Sequence, residues 1–162
     1  MNAANSDAHD FQCRLVWTGA TKGPTLDYDT YSREYRIDGA GKKHSISGTA
    51  APAFRGEEAL WNPEEMLVAS LSACHFLTYA ALCARARIPL VAYEDDARGT
   101  MAKVEGKVRF TEVVLRPRAT IASGDAERAR ALHEKAHAHC FITNSVNFPV
   151  RHEPEVGVAG PV

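Results

Sequence analysis

The sequence has no excess of charge of either sign, no basic run and no closely spaced pair of cysteines. Its 19 Lys and Arg residues nearly balance its 20 Asp and Glu residues, so the formal net charge is −1 and the pI is about 6.6. Such a chain offers no electrostatic footprint for nucleic acid, and we expect no nucleic-acid partner. None of the four cysteines belongs to a CxxC pair, which argues against a thioredoxin-like motif or a zinc site of that spacing.

The sequence also lacks a recognisable targeting or membrane signal. Residues 1–10 contain no apolar stretch of the signal-peptide type. The most apolar segment, residues 66–84, is interrupted by serine, cysteine, histidine and threonine and is flanked by acidic residues and arginine. We therefore expect a cytoplasmic protein without a membrane partner, in which the cysteines are thiols rather than a structural disulfide framework.

Length and composition predict one globular domain. A chain of 162 residues with 45% hydrophobic residues can bury a sizeable core. No internal repeat or low-complexity tract divides it. We expect a single domain over residues 11–154, between a flexible N-terminus (residues 1–10) and a flexible C-terminus (residues 155–162).

Hydrophobic periodicity predicts an α+β fold with the element order βββαββαβ. Residues 11–17 alternate as a half-buried strand does, which would place Cys13 in the core. Hairpin signals between neighbouring strands favour antiparallel pairing with helices packed on the sheet. The predicted strands are 11–17, 31–38, 43–49, 90–104, 107–121 and 145–153, with turns at Gly39-Ala40-Gly41 and Gly106, and the helices are 63–86 and 125–139.

The first predicted helix is the most distinctive element. Asn62 can cap it, Pro63 suits its first turn, and Ile88-Pro89 ends it. The helix is apolar on almost every side, so one sheet would cover only part of it. The pattern therefore predicts a long buried central helix, whose remaining faces are covered by a second copy of the chain.

Two cysteines far apart in the sequence lie beside histidines in helical segments. Cys74 follows Glu64 by ten residues in the helix that begins Asn-Pro-Glu-Glu, and Cys140 lies in Ala-His-Ala-His-Cys-Phe-Ile-Thr-Asn-Ser-Val. Through these two segments the chain, from about Phe11 to Pro154, resembles the OsmC/Ohr family, the osmotically inducible protein C and organic hydroperoxide resistance proteins.

The resemblance implies a fold, a dimer and an activity. It implies an intertwined homodimer and a thiol-dependent peroxidase in which Cys74 attacks an organic hydroperoxide and Cys140 resolves the sulfenic acid as a disulfide. It also implies no bound cofactor and an external dithiol reductant, such as a lipoyl-bearing protein. Apolar neighbours in sequence, Leu71, Phe76 and Phe141, favour organic peroxides over hydrogen peroxide.

A reactive thiol needs a nearby cation, because the thiolate is the nucleophile and burial alone raises the pKa of a thiol. In the predicted strand 31–38, Arg33 shares the inward face with Tyr31 and Tyr35. The family has such an arginine in its N-terminal hairpin, so Arg33 is the candidate. Arg118 is the alternative cation, with Arg33 then serving a structural role.

Glu64 is the candidate carboxylate partner of that arginine. It lies ten residues before Cys74, about 15 Å along a helix. The two residues can meet one arginine only if Glu64 comes from the partner subunit of a dimer. The alternative is an ordinary first-turn acid that the helix dipole favours.

Other assignments remain open at this stage. The chain could be a non-enzymatic redox sensor or a small-molecule binding protein on the same fold. Alternatively, His133, His137 and Cys140 could supply ligands to a metal ion. The roles of His75 and His139 are not fixed by the sequence, although His75 points about 100° away from Cys74 on a helix. Cys83 is expected to be a small core residue.

Overall fold

The computed structural model describes residues 8–160 of the chain. Of the flexible ends predicted at residues 1–10 and 155–162, residues 1–7 and 161–162 lie outside that range. The chain divides into two compact units, residues 1–63 and residues 64–162. The single domain over residues 11–154 therefore stays a prediction, and each unit is described by itself.

The first unit is built on a small antiparallel sheet. Its strands are β1 (Arg14–Trp17), β2 (Tyr35–Asp38) and β3 (Ile46–Gly48), paired in the order β1-β2-β3. The predicted hairpin between the second and third strands is confirmed, and the Lys42 N–H donates a hydrogen bond to the Gly39 carbonyl at 3.0 Å. All three strands are shorter than the sequence pattern suggested.

The expectation that Cys13 belongs to the core is wrong. The first strand begins only at Arg14, and the Cys13 side chain is exposed. Leu15 lies on the same strand face two residues later and is 58% exposed. In β1 it is Val16, on the opposite face, that is partly buried, so the alternation also assigned the inward face of this strand incorrectly.

The long helix α1 (Pro63–Arg85) agrees closely with its predicted bounds of 63–86. Pro63 occupies the first turn, where its missing N–H costs nothing, and two glutamates follow it. The helix ends in a Schellman arrangement: the Ile88 N–H donates to the Cys83 carbonyl at 2.9 Å, and the Arg87 N–H donates to the Ala84 carbonyl at 3.1 Å. Arg87 adopts the left-handed conformation with φ of 57°.

Within this chain α1 buries only one stripe of its surface. The fully buried positions recur every four residues, at Leu71, His75, Tyr79 and Cys83. Only 22% of its most apolar window is buried, so the prediction of a helix covered on all sides does not hold for the chain alone. By length and composition α1 would also pass as a membrane span, a test that core helices of soluble proteins pass too.

Four strands stand where the sequence predicted two long ones. They are β4 (Leu90–Asp95), β5 (Arg98–Val104), β6 (Lys107–Leu115) and β7 (Pro117–Ile121). The predicted turn at Gly106 is confirmed, with Glu105 and Gly106 both at positive φ as a tight hairpin requires. Each long arm breaks near Asp95, whose carboxylate accepts the Arg116 N–H at 2.6 Å, and the two halves then join different sheets.

The second helix, α2 (Ala126–His139), begins as predicted. The Asp125 side chain caps it by accepting the N–H groups of Glu127 and Arg128 at 2.9 and 3.1 Å. Two short strands follow, β8 (Val150–His152) and β9 (Glu155–Val158). The structure thus has a strand, β9, in the segment expected to be a flexible tail.

The second unit contains two three-stranded sheets, with orders β4-β7-β9 and β5-β6-β8. Pairing is antiparallel within the hairpin arms, as predicted, but β8 and β9 join their sheets in parallel. One core cluster surrounds Leu71 and the other surrounds Tyr79 and Cys83, so α1 belongs to both clusters. The observed fold is α+β, with two helices and three small sheets among the described residues.

Candidate active site

Cys74 and Cys140, 66 positions apart in sequence, meet in the second unit. Cys74 lies near the middle of α1, and Cys140 is the residue that ends α2. The Cys74 side chain interacts with the thiol of Cys140, and both cysteines are free thiols. The structure thus brings together the two cysteines that the sequence singled out.

The two thiols differ in their surroundings. Cys74 is half-buried and lines a groove, whereas Cys140 is fully buried. Burial raises the pKa of the Cys140 thiol, the adjacent Cys74 raises it further, and contact with Thr143 acts in the opposite direction. Cys140 is therefore a protonated thiol near neutral pH, and Cys74 is the one that an incoming molecule meets first.

The groove beside Cys74 has a volume of about 700 Å³. Its floor is one face of α1, and its other wall comes from the end of α2 and the segment that follows. Most lining side chains are apolar, and the exposed Leu77 and Phe141 stand at its edge, 65% and 80% exposed. The lining residues are Ser70, Ala73, Cys74, Leu77, Thr78, Ala81, Leu82, Arg85, Lys135, His139, Phe141 and Ile142.

Arg33 lies before β2 rather than inside a strand, because β2 begins only at Tyr35. Its guanidinium donates to the carbonyls of Tyr31 and Tyr28 at 3.1 and 2.7 Å. It also stacks on both tyrosine rings, with its central carbon 4.2 and 4.8 Å from their centroids. These contacts hold Arg33 within the first unit, and its proposed action on Cys74 stays a prediction.

The alternative cation, Arg118, is already engaged in the second unit. Its guanidinium pairs with Glu94 at 2.8 Å and with Asp96 at 2.7 Å. These ion pairs link β7 to β4 and to the residue just after it. They balance the charge of the Arg118 guanidinium, and no cysteine takes part in them. The observation favours a structural role for Arg118.

Glu64 lies in the first turn of α1, as predicted. One of its carboxylate oxygens, Oε2, is buried and has no hydrogen-bond partner among residues 8–160. A buried carboxylate oxygen without a donor is costly, so Glu64 lacks a partner that its surroundings call for. Its distance from Cys74 along one helix remains about 15 Å.

The remaining buried cysteine has a packing role, as expected. Cys83 is fully buried, and burial raises the pKa of its thiol, an effect that the nearby Tyr79 side chain opposes. It belongs to the core cluster formed by α1, α2 and β7.

Four histidines, contributed by α1, α2 and β8, form a cluster in the second unit. His75 Nε2 and His133 Nδ1 are 2.9 Å apart, and both residues are fully buried. The His152 ring lies 5.6 Å from His75 and 4.7 Å from His137 between centroids. His152 also reaches the exposed Glu134 at 3.2 Å, so the cluster extends from the core to the surface.

Burial keeps His75 and His133 neutral at physiological pH. Burial lowers the pKa of His75 to about 4 and that of His133 to about 3, and repulsion from neighbouring imidazoles acts in the same direction. Buried ring nitrogens of both, Nδ1 of His75 and Nε2 of His133, have no hydrogen-bond partner in the described part of the chain. His75 thus belongs to this interior cluster. Its observed hydrogen-bond partner is His133, and among the described residues no hydrogen bond joins His75 to Cys74.

The geometry does not favour a metal site formed by His133, His137 and Cys140. Across residues 8–160, no group of three or more His, Cys, Asp or Glu side chains is placed to hold a metal ion. The Nδ1 atom of His133 is instead engaged with Nε2 of His75 at 2.9 Å.

Sequence reasoning missed three residues of this region. Arg85 and Lys135 line the groove, and His152 completes the histidine cluster. The spacing of Arg85, eleven residues and three turns after Cys74, places both on one helix face and could have been recognised. The position of His152 depends on the pairing of β8 with β6, which the sequence pattern did not reveal.

Comparison with solved structures places this fold among known proteins. An OsmC-like protein of unknown function from Vibrio cholerae is 30% identical, with a TM-score of 0.84, and the alignment covers 91% of this chain and 100% of that one. An organic hydroperoxide resistance protein from Elizabethkingia anophelis is 20% identical with a TM-score of 0.66, covering 93% and 99% of the two chains. At that identity the second likeness shows the fold alone.

Sequence comparison leads to the same family. The uncharacterized protein YmaD of Bacillus subtilis is 24% identical over 101 residues, which are 60% of this chain and 67% of that protein. The family model described as OsmC-like protein matches residues 56–155, a range that includes both Cys74 and Cys140. The chain therefore belongs to the OsmC-like protein family.

Proposed function

We propose that this chain is a thiol-dependent peroxidase that reduces organic hydroperoxides. The observation that carries the proposal is the contact between Cys74, which faces an apolar groove, and the buried Cys140. An accessible thiol with a second thiol in contact is what a two-cysteine peroxide reductase needs. Family relatives named organic hydroperoxide resistance proteins support the choice of substrate.

The reaction would proceed in three balanced steps. The Cys74 thiolate attacks the terminal oxygen of the hydroperoxide, the O–O bond breaks, and the departing alkoxide takes up a proton to become an alcohol. The Cys74 sulfur, now a sulfenic acid, is attacked by Cys140, and a disulfide and water form. An external dithiol then reduces the disulfide and is itself oxidised, which restores both thiols.

The different burial of the two thiols suits these roles. Because the pKa of Cys140 is raised, Cys140 stays protonated and does not compete with Cys74 for the peroxide. It can surrender its proton when hydroxide leaves the Cys74 sulfenic acid. No bound cofactor is needed, and a lipoyl-type dithiol is the proposed reductant in a cytoplasmic setting.

We further propose that the active protein is a homodimer in which Arg33 and Glu64 activate Cys74. The exposed apolar surface of α1 supports a second copy, since most of that helix lacks cover within one chain. The buried oxygen of Glu64 that has no hydrogen-bond partner supports the idea that a cation reaches Glu64 when two chains associate. Glu64 of one subunit would then lie near Cys74 of the other.

A steady-state assay with cumene hydroperoxide, hydrogen peroxide and dihydrolipoamide tests the proposal. We expect many turnovers per chain, faster with cumene hydroperoxide, and background rates for Cys74→Ser because a hydroxyl does not ionise near neutral pH. The matched control is Cys13→Ser, which removes an exposed thiol outside the site and should retain full activity. Consumption of one peroxide per chain without further turnover would instead identify a redox sensor.

A further inference from the structure

The turn that follows α2 brings Thr143 back toward Cys140. Cys140 ends α2, and a short 3₁₀ helix, Thr143–Ser145, begins three residues later. The Asn144 N–H donates a hydrogen bond to the Cys140 carbonyl at 3.0 Å, which closes the turn. Within this turn, both the side chain and the backbone N–H of Thr143 interact with the Cys140 thiol.

The Thr143 hydroxyl differs from its neighbour in the same turn. The hydroxyl of Ser145 donates to the Phe141 carbonyl at 2.7 Å, the usual local solution for such a side chain. The Thr143 hydroxyl oxygen is buried and has no full hydrogen bond to any residue in the described range. Its neighbour is the fully buried sulfur of Cys140, which accepts weakly as a thiol and much more strongly as a thiolate.

Cys140 carries negative charge twice in the proposed reaction cycle, although burial disfavours that charge. In resolution, the Cys140 thiol gives its proton to the departing hydroxide while its sulfur attacks Cys74, so an S–O bond breaks, an S–S bond forms and water leaves. In reduction, a thiolate of the external dithiol attacks the accessible Cys74 sulfur, the S–S bond breaks and Cys140 leaves as a thiolate. The second thiol of the dithiol then releases Cys74, and the two dithiol protons restore both thiols.

We propose that Thr143 is a catalytic residue that stabilises the Cys140 thiolate, with its hydroxyl and its backbone N–H both donating to the Cys140 sulfur. The inference rests on the proposed two-thiol cycle and gives both half-reactions a further residue. A hydroxyl suits the position because it donates at every pH of interest and adds no charge to a buried site. Stabilising a leaving thiolate accelerates thiol–disulfide exchange, so Thr143 should speed the reduction of the disulfide.

Reduction of a disulfide made without peroxide tests this role apart from peroxidase activity. Diamide, which oxidises two thiols to a disulfide, should join Cys74 to Cys140, and dithiothreitol then reduces the bond while timed alkylation and mass spectrometry follow it. In Thr143→Val, which keeps the side-chain shape, reduction should be roughly three- to tenfold slower because the hydroxyl donor is lost. Thr143→Ser, which keeps the hydroxyl, should stay near the wild-type rate.

The matched control is Ser145→Ala, which removes the neighbouring hydroxyl that is bonded to the Phe141 carbonyl and should leave the rate of reduction unchanged. Dimedone trapping after one equivalent of cumene hydroperoxide reports on resolution. In Thr143→Val, the Cys74 sulfenic acid should persist longer and give more adduct, while the initial loss of the Cys74 thiol keeps its wild-type rate.

The outcomes distinguish this inference from the proposed function. If reduction of the diamide-formed disulfide depends on the Thr143 hydroxyl but no peroxide is consumed, the role of Thr143 stands and the peroxidase proposal fails. Equal rates of reduction in wild type and Thr143→Val, or equally slow rates in Thr143→Val and Thr143→Ser, would overturn the inference. Thr143→Ala takes the place of Thr143→Val if the latter does not fold, with the same slow rate expected and a wild-type rate counting against the role. No disulfide between Cys74 and Cys140 in the diamide-treated wild type would overturn both proposals.

Discussion

Acid should destabilise this protein through its buried histidine pair. His75 and His133 are fully buried and joined by a hydrogen bond of 2.9 Å in which one ring donates and the other accepts. A proton added to the accepting ring removes that bond and places a charge in the core beside Tyr79 and two further imidazoles. The folded state therefore resists protonation that the unfolded chain accepts freely.

The sign and size follow from proton linkage. The pKa values of about 4 for His75 and about 3 for His133 lie below the ordinary value of 6.5, so the unfolded state binds more protons as the pH falls below 6.5. Stability is thus greatest above pH 6.5 and decreases through the window from 6.5 toward 4. Between pH 7.5 and pH 5 the loss is about 2 kcal/mol for each imidazole, or about 4 kcal/mol for the pair.

Thermal unfolding followed by circular dichroism at pH 7.5 and pH 5 measures this loss. A difference of about 4 kcal/mol corresponds to a decrease of roughly 8–16 °C in Tm for a chain of this size. In His133→Leu, which has one buried imidazole fewer, about half of the decrease should disappear. The control is His44→Ala, which removes an exposed imidazole and should keep the wild-type difference.

An equal pH response in wild type and His133→Leu would refute the reasoning, provided that the variant is folded at pH 7.5. That result would mean that other groups dominate acid unfolding. A decrease in Tm that occurs only below pH 4 would also contradict the linkage argument, because the unfolded-state protonation begins near 6.5.

Three further predictions concern the ends of α1 and the activation of Cys74. Arg87→Gly should raise stability by about 0.5–1 kcal/mol, seen as a higher Tm, because glycine adopts the left-handed conformation without strain. Arg33→Met should shift the pH profile of Cys74 alkylation upward, and an unchanged profile would assign activation to another cation such as Lys135. Co-refolded Cys74→Ser and Glu64→Ala chains should exceed the mean activity of the parents, and no gain in heterodimers confirmed by native mass spectrometry would argue against a shared site.

Local signals predicted the helices well because each has its own start and stop. Pro63 and Asp125 mark the two beginnings, and the Ile88-Pro89 pair follows the first end. The turn at Gly106 was equally readable, since a tight hairpin needs positive φ there. These features depend on neighbours in sequence, and the structure agrees with them.

The breaks in the strands were not predictable from periodicity, because alternation continues through them. Whether β4 and β5 form one strand or two depends on Asp95, which binds Arg116 from the other arm and Ser72 from α1. Such contacts arise only after the elements have packed together. The parallel placement of β8 and β9 has the same origin.

The candidate site was predicted only in part, because some of its residues come together only after the elements have packed. The pairing of Cys74 with Cys140 came from resemblance to a family; the structure places the two thiols near each other, and their roles stay a prediction. Arg85 and Lys135 were missed because a surface cation on a helix carries no local signal until a groove forms beside it. The roles proposed for Arg33 and Glu64 stay predictions, because an association between chains has no signal in any local pattern of one sequence.

Peptide mapping by mass spectrometry after one equivalent of cumene hydroperoxide tests the central claim most directly. The account predicts a disulfide between Cys74 and Cys140, with the thiols of Cys13 and Cys83 still open to alkylation after denaturation. In Cys140→Ser the same treatment should leave Cys74 as sulfenic acid or a higher oxide. Four intact thiols in the treated wild-type protein, or oxidation of Cys74 with Cys140 still a free thiol, would contradict it.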